Sequence, residues 1–330
     1  MRRRRFGGDD RLVSEIGLGT WQLGAEWGDV DDATAQATLK QAFDSGVDFF
    51  DTADVYGRGK SESRIGAFLK TLGPAAKEIF VATKLGRFPE PGWPANFSQA
   101  AFRTFVEASL KRLGVEKLDL VQTHCLPHEM MRTGEMFEWL RVLQREGKIL
   151  RWGASVESME EAETCLAHDG LASLQIIFNV FRRRPLERVF AAAKAKGVAL
   201  IIRLPLASGL LSGRMTASTS FPENDHRNFN RDGQKFNVGE TFAGLPLAKG
   251  VELMEELRGF IPDGMTPTQF AMRWILDFEE TTTIIPGAKR PQQVIENCSA
   301  SEMAPLPAEL HERLASFHRE KVASHVRGPQ

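Results

Sequence analysis

The 330-residue chain reads as an α/β protein, a single-domain (β/α)8 TIM barrel. Three observations predict this. Eight short apolar, β-branched runs recur along the sequence, amphipathic helical patterns separate them, and no Pro- or Ser-rich linker divides the chain. Strands that are apolar on both faces and alternate with helices imply parallel βαβ units. Eight such units in a chain of this length favour a closed barrel over an open sheet. No Gly-x-Gly-x-x-Gly follows the first strand, so the open dinucleotide-binding sheet has no support.

The strand-like runs lie at 16–24, 47–53, 79–84, 118–124, 150–155, 173–179, 199–205 and 281–287. The first helix, "DDATAQATLKQAFDSG", opens with acids and closes on Gly46, as the helix dipole and a C-cap prefer. In "SESRIGAFLKTLG", Ser61 is the expected N-cap and Gly73 the stop; Ser98 and Gly114 bound the next helix in the same way. Further helices are expected at 135–147, 157–168, 185–197, 247–260, 266–278 and 290–299, with a C-terminal helix and tail at about 307–330. The segment at about 212–246, containing "FPENDHRNFNRDGQKFN", is long and polar. A loop of that size after the seventh strand is expected to be functional or mobile.

Hydrophobic residues make up 42% of the chain, enough for a sizeable core. A net charge of −1 gives no electrostatic case for nucleic acid or an anionic membrane as partner, and no apolar run has membrane-spanning length. The start, "MRRRRFGGDD", is basic but lacks the apolar stretch of a signal peptide, so its arginines are expected on the solvated edge of a short hairpin. Cys125, Cys165 and Cys298 are widely separated and odd in number, which argues for reduced thiols in a cytoplasm.

In such a barrel the chemistry sits at the C-terminal ends of the strands. The second, third and fourth strands end in Asp51 with Tyr56 just beyond, Lys84 and His124. Tyr56 is the only tyrosine, beside 22 phenylalanines and 6 tryptophans, so its hydroxyl rather than its ring is what the position keeps. Taken singly, Lys84 and Asp51 read as a buried ion pair, His124 as a core histidine and Tyr56 as a cap on the mouth. Taken together they form an acid, a phenol, an amine and an imidazole at one mouth. A free phenol, with a pKa near 10, is a poor acid or base at neutral pH. The Lys84 ammonium is expected to lower that pKa, Asp51 to hold Lys84, and His124 to donate a hydrogen bond to a carbonyl oxygen as charge builds there.

The stretches "GLGTWQLG", "DFFDTADVYGRGKSESRIGAFL", "FVATK", "LDLVQTHCL", "GKILRWGAS" and "TTTIIPGAKRPQQVIEN" resemble the aldo-keto reductase family over about residues 12–300. The resemblance implies a catalytic tetrad of Asp51, Tyr56, Lys84 and His124. It also implies a nicotinamide cofactor lying extended across the mouth, with Tyr56 as general acid toward a carbonyl or alcohol substrate. Ser155 and Gln175 match carboxamide ligands, with Asp51, Thr20 and Trp21 beside them, and Asn179 matches the Asn of a Gln-x-x-x-Asn pattern. Two departures stand out: Val156 replaces an Asn after the fifth strand, and Arg203 replaces the tyrosine that often stacks on the nicotinamide. A guanidinium plane can also stack on a ring. The "RLPLASGLLSG" variant, with Arg203, Leu204, Pro205, Leu206, Ser208, Gly209, Leu210, Ser212 and then Arg214, resembles a bacterial branch of the family and is expected to serve the phosphates. Ile285, Gly287, Lys289 and Arg290 follow the eighth strand, with Gln293 and Asn297 matching adenosine contacts. Two cations at a helix start suit a 2′-phosphate, so NADP(H) is expected ahead of NAD(H).

The substrate pocket is expected between Trp21, Val55, Tyr56, Trp93, His124 and residues of 125–131 and 212–246, its two indoles suiting an apolar or ring-stacking substrate. His124, Cys125 and His128 lack zinc-site spacing, so no metal is expected. A monomer is expected ahead of a homo-oligomer. Two other readings stand beside the reductase. One is an NADP-binding regulatory subunit like the family's channel-associated members. The other is a barrel aldolase with Lys84 as Schiff-base amine, against which Asp51 weighs by keeping the amine protonated.

Overall fold

The structure is a computed structural model that describes residues 1–24, 27–92 and 94–330. The expected pocket residue Trp93 lies outside the described residues. The chain opens with an antiparallel hairpin, β1 (Arg3–Arg5) and β2 (Leu12–Ser14). Eight parallel strands follow: β3 (Leu18–Gly19), β4 (Phe49–Asp51), β5 (Phe80–Leu85), β6 (Leu120–His124), β7 (Trp152–Ser155), β8 (Ser173–Ile177), β9 (Ala199–Arg203) and β10 (Thr281–Ile284). Each falls inside one of the eight expected runs, apart from a one-residue overhang of β5, and they pair in chain order. Parallel bridges Ile16–Ile284 and Gly19–Gly287, with Gly17 N donating to Ile284 O at 2.7 Å, also join the first strand to the last.

Helices connect the strands: α1 (Asp32–Asp44), α2 (Lys60–Leu72), α3 (Gln99–Leu113), α4 (His128–Thr133), α5 (Glu135–Arg145), α6 (Met159–Leu166), α7 (Arg184–Arg188) and α8 (Phe190–Ala195). After β9 come α9 (His226–Phe229), α10 (Leu247–Arg258) and α11 (Pro267–Leu276), and after β10, α12 (Pro291–Ser299) and α13 (Ala308–Phe317). Caps set many of the boundaries. Asp31 accepts from Thr34 N at α1, Ser98 from Ala101 N at α3, and Ser158/Glu161 and Thr266/Gln269 form capping boxes.

Ser61 is not a cap. The second helix starts earlier, after Gly59 at φ 92°, where an added Cβ would lie 2.5 Å from the Arg112 side chain. Ser61 instead turns inward, its Oγ accepting from Thr52 Oγ1 at 2.9 Å and donating to Thr20 O at 3.0 Å. The expected helix at 185–197 is two short ones, α7 and α8, broken at Val189. The N-terminal arginines are also only partly a solvated edge. Arg4 is half-buried, and its guanidinium bonds Glu15, Phe278 O and Thr281 O.

Two apolar layers follow from this arrangement. One lies between strands and helices; the other, on the sheet's inner face, contains Phe49, Phe80, Leu120 and Ile201 together with Phe6 from the hairpin. Phe6 is buried with its ring 4.8 Å from Phe80, near the N-terminal ends of the strands. Asp51, Lys84, His124 and Ser155 lie at or next to the opposite, C-terminal ends.

Candidate active site

Strand register assembles the site. Asp51 pairs with Ala82 and Lys84 with Gln122, so Lys84 and His124 each lie two residues beyond the partner of the preceding strand's polar residue, while His124, Ser155 and Gln175 share one level. Lys84 Nζ donates to Asp51 Oδ1 at 2.5 Å and to Thr52 O at 2.9 Å, and lies 3.5 Å from Tyr56 Oη. Gln175 Nε2 donates to the other Asp51 oxygen, Oδ2, at 2.7 Å. The Tyr56 ring stands edge-on to His124 at 5.8 Å and stacks on Trp21 at 5.7 Å. The four expected tetrad residues are therefore brought together.

Their protonation departs from expectation at one point. Burial holds the Tyr56 phenol well above its ordinary value; Asp51 and Glu240 push the same way, and Arg203 and Arg87 only oppose. The net shift is upward, because desolvation of a phenolate in this enclosed position outweighs the nearby cations. Burial, then Arg87, Lys84 and Arg203, holds His124 well below its ordinary value, so the imidazole is neutral. Burial drives the Asp51 carboxyl up and the Lys84 amine down, and each is pulled back by the other.

Tyr56, His124 and Asp51 lie at one end of a groove of about 480 Å³, the size of a small-molecule site. Trp21, Ser155, Gln175, Arg203, Leu204 and Pro205 line it near these residues. Leu206, Ser208, Gly209, Ser212 and Arg214 line one wall; Ile285, Gly287, Lys289, Arg290, Gln293 and Asn297 line the wall supplied by the last strand and α12. Several expected contacts lie elsewhere. Thr20 is buried behind the floor, its Oγ1 donating to Asp51 O, and Leu210 is in the core. Asn179 is buried and braces the turn after β9, its Nδ2 donating to Leu204 O at 3.0 Å. Val55 and residues 125–131 do not line the groove among the described residues.

The groove's backbone suits an anionic ligand. Leu204, Ala207, Ser208 and Gly209 take left-handed φ values of 54°, 47°, 57° and 92°. Such a turn lets main-chain amides face an anion. Arg203 Nε is buried with no protein partner among the described residues. One expectation changes: the Ser208 hydroxyl is already committed, donating to Glu240 O at 3.0 Å and accepting from Phe242 N at 3.2 Å. Lys289 is committed too, its ammonium bonding Trp27 O across the groove.

Sequence reasoning missed a second set of charges. Glu240, from the long segment, approaches Arg87 Nη2 at 3.1 Å and Arg203 Nη1 at 3.6 Å; Arg87 Nη2 also donates to Glu157 at 3.0 Å. Arg203 Nη2 donates to Val156 O at 3.1 Å, at the position where the resemblance expected an Asn. Cys125, Glu157 and Glu240 present one ligand-type atom each within 4.8 Å. The two guanidinium groups already bond those atoms. Trp27 and Arg227 were missed as well: the Arg227 guanidinium lies 4.7 Å over the Trp27 ring, at the groove's edge. The polar composition of 212–246 marked the segment, but no spacing singled out Glu240 or Arg227 within it.

The chain is an NAD(P)H-dependent oxidoreductase, of the class that acts on small-molecule carbonyl compounds. It belongs to the aldo/keto reductase family, whose sequence model matches residues 15–319. It is 32% identical to the aldo-keto reductase YhdN of Bacillus subtilis over 86% of this chain and 83% of that one. It is 30% identical to the aldo-keto reductase yakc [NADP(+)] of Schizosaccharomyces pombe over 90% and 86%. The holo form of the aldo-keto reductase AKR11C1 from Bacillus halodurans superposes with a TM-score of 0.78 at 26% identity, over 97% of this chain and all of that one. Two further relatives differ in the names they carry: an NADH-specific methylglyoxal reductase of Escherichia coli, 27% identical over 91% and 93%, and a putative voltage-gated potassium channel subunit beta of S. pombe, 30% identical over 90% and 88%. No helix among the described residues is long and apolar enough to cross a membrane.

Proposed function

We propose that the chain reduces an aldehyde or ketone with NADP(H), or runs the reverse oxidation, with Tyr56 as the general acid/base. One observation carries this reading: the chain's single phenol stands 3.5 Å from Lys84 Nζ and edge-on to His124, at the end of the groove. The bound nicotinamide supplies the hydride to the carbonyl carbon. The protein supplies the rest. Neutral His124 orients the carbonyl oxygen, and Tyr56 gives that oxygen its proton as it becomes an alkoxide. An alkoxide is far more basic than a phenolate, so a Tyr56 phenol held high still releases its proton, only later. Lys84, fixed by Asp51 and Thr52 O, then faces the phenolate. Gln175 locks the outer oxygen of Asp51 and so keeps the pair in register.

Ser155, Gln175 and Arg203 serve the nicotinamide end, the 204–212 turn the phosphates, and Gln293 and Asn297 the adenosine. Exposed Arg290 and Arg214 favour NADP(H) over NAD(H), although Glu296 pairs with Arg214 at 3.0 Å. One relative's name carries NADP(+) and another is NADH-specific. The first–last bridges support a closed (β/α)8 barrel, read as one domain over 1–330, monomeric and cytoplasmic. Comparing kcat/KM for NADPH and NADH across a panel of aldehydes, ketones and polyols tests the reading; no oxidation of either cofactor by any carbonyl would overturn it. The relative named as a channel beta subunit supports a second reading, a cofactor-binding regulatory subunit. An aldolase is disfavoured, because Lys84 is buried and its ammonium is shared between Asp51 and Thr52 O.

A further inference from the structure

The charges around Arg203 have a use that the proton-transfer chemistry does not absorb. Two guanidinium groups, Arg87 and Arg203, lie beside the tetrad, close enough to act on both Tyr56 and His124. Glu240 is buried and stands between them, at 3.1 and 3.6 Å. Among the other charges nearby, Arg182 is a third buried guanidinium in the field of Arg203, Glu157 and Glu240, and it adds to the positive side. Asp51 and Lys84 offset each other at 2.5 Å. Burial, with Glu240 next to it, pushes Glu157 up to about 7, whereas burial of Glu240, its largest single influence, is outweighed by Arg87 and Arg203, which hold it down at about 2. Below neutral pH, Glu240 is therefore the one of the two carboxylates that carries charge.

The same residue is anchored from behind. Ser208 clamps its carbonyl and the next turn, in which Phe242 and Ala243 hold left-handed φ values of 53° and 57°. Backbone strain of this kind persists only where the surroundings over-determine it. The carboxylate is thus presented rigidly to Arg203, whose own guanidinium is fixed by Val156 O and the Cys125 sulfur.

A nicotinamide ring is cationic when oxidised and neutral when reduced. Two uncompensated guanidinium groups beside it would penalise the oxidised form alone. We propose that Glu240 is a positioning and charge-balancing residue: it holds Arg203 toward the nicotinamide subsite and offsets the two guanidinium groups, so that the site accepts the oxidised cofactor as well as the reduced one. This rests on the reading above that Arg203 faces the nicotinamide.

The test is fluorescence titration of the full chain with NADPH and with NADP+ in a Glu157→Gln background, because Glu240 is one of the groups that keep Glu157 protonated and its loss alone would let Glu157 ionise in its place. The quantity read is the ratio of the two dissociation constants. Glu240→Gln is expected to weaken NADP+ by about tenfold more than NADPH, the effect of one unit charge about 12 Å away at an effective dielectric constant of about 20. Arg87→Gln, which removes a cation, is expected to move the ratio the other way, and Glu240→Asp to leave it near the value of the Glu157→Gln parent. A purely structural role would weaken both forms alike. Equal weakening in Glu240→Gln, or shifts of the same sign in the Gln variants at 240 and 87, overturns the proposal while leaving the nicotinamide reading intact. A wild-type chain that binds neither form overturns both. Should Glu240→Gln not fold, the Arg87→Gln ratio decides: unmoved, it also overturns the proposal.

Discussion

Both carboxylate oxygens of Asp51 are spoken for: Lys84 Nζ holds Oδ1 at 2.5 Å while Gln175 Nε2 holds Oδ2 at 2.7 Å. The acid cannot rotate without leaving one donor stranded in a dry site. Asp51→Asn is therefore expected to strand a buried ammonium, costing about 3–5 kcal/mol of stability and about 10²–10⁴ in kcat. Gln175→Leu, which frees only Oδ2, is expected to cost less on both counts. Thermal melts alongside steady-state rates check the order; an Asp51→Asn variant of unchanged stability and rate contradicts it.

Glu157 sets a pH dependence. Its carboxyl is raised from 4.5 to about 7, first by burial and then by Glu240, with Arg87 and Arg203 opposing. A raised acid binds its proton more tightly in the folded state, so its contribution is complete below pH 4.5 and is lost as pH rises toward 7. The loss is on the order of 3 kcal/mol. Urea unfolding across that window is expected to show wild-type stability falling relative to Glu157→Gln. Parallel curves for the two proteins contradict the assignment.

Phe6 carries the N-terminal hairpin's contribution to the inner core, stacked on Phe49 and tilted against Phe80. Phe6→Ala is expected to cost about 3–5 kcal/mol of stability. It should leave kcat unchanged in folded protein, because the hairpin lies at the opposite ends of the strands from Tyr56. A loss of turnover with intact stability would place the hairpin in the site instead.

The two cations after β10 are expected to behave differently. Lys289 bonds Trp27 O, whereas Arg290 is exposed and its guanidinium has no hydrogen-bond or ion-pair partner among the described residues. Lys289→Met is expected to weaken NADPH and NADH alike, while Arg290→Ala weakens NADPH selectively by about tenfold. Cofactor titrations separate the cases; equal losses for both cofactors in Arg290→Ala contradict the NADP(H) preference.

Much of the fold was legible because most strands carry apolar runs and several helices are bounded by a capping side chain or a glycine. The eight runs, and the placement of Asp51, Lys84 and His124 at strand ends, follow from that pattern alone. Ser61 misled because a serine before a helical pattern reads as a cap, whereas here a left-handed glycine starts the helix and the hydroxyl turns inward. The direction of the Tyr56 shift was not legible either: a neighbouring ammonium is visible in sequence, but the degree of burial that outweighs it is not. Glu240 was hidden for a further reason. It sits in an aperiodic segment, and its partners Arg87 and Arg203 are 153 and 37 positions away, so only the folded chain brings them together.

The central claim is that the Tyr56 hydroxyl transfers the proton. Tyr56→Phe keeps the ring stacked on Trp21 and removes only the oxygen. Measured on one preparation, NADPH binding is expected to stay within about threefold of wild type while turnover of any accepted carbonyl falls by about 10³ or more. A Tyr56→Phe enzyme that binds NADPH and turns over at the wild-type rate contradicts the account.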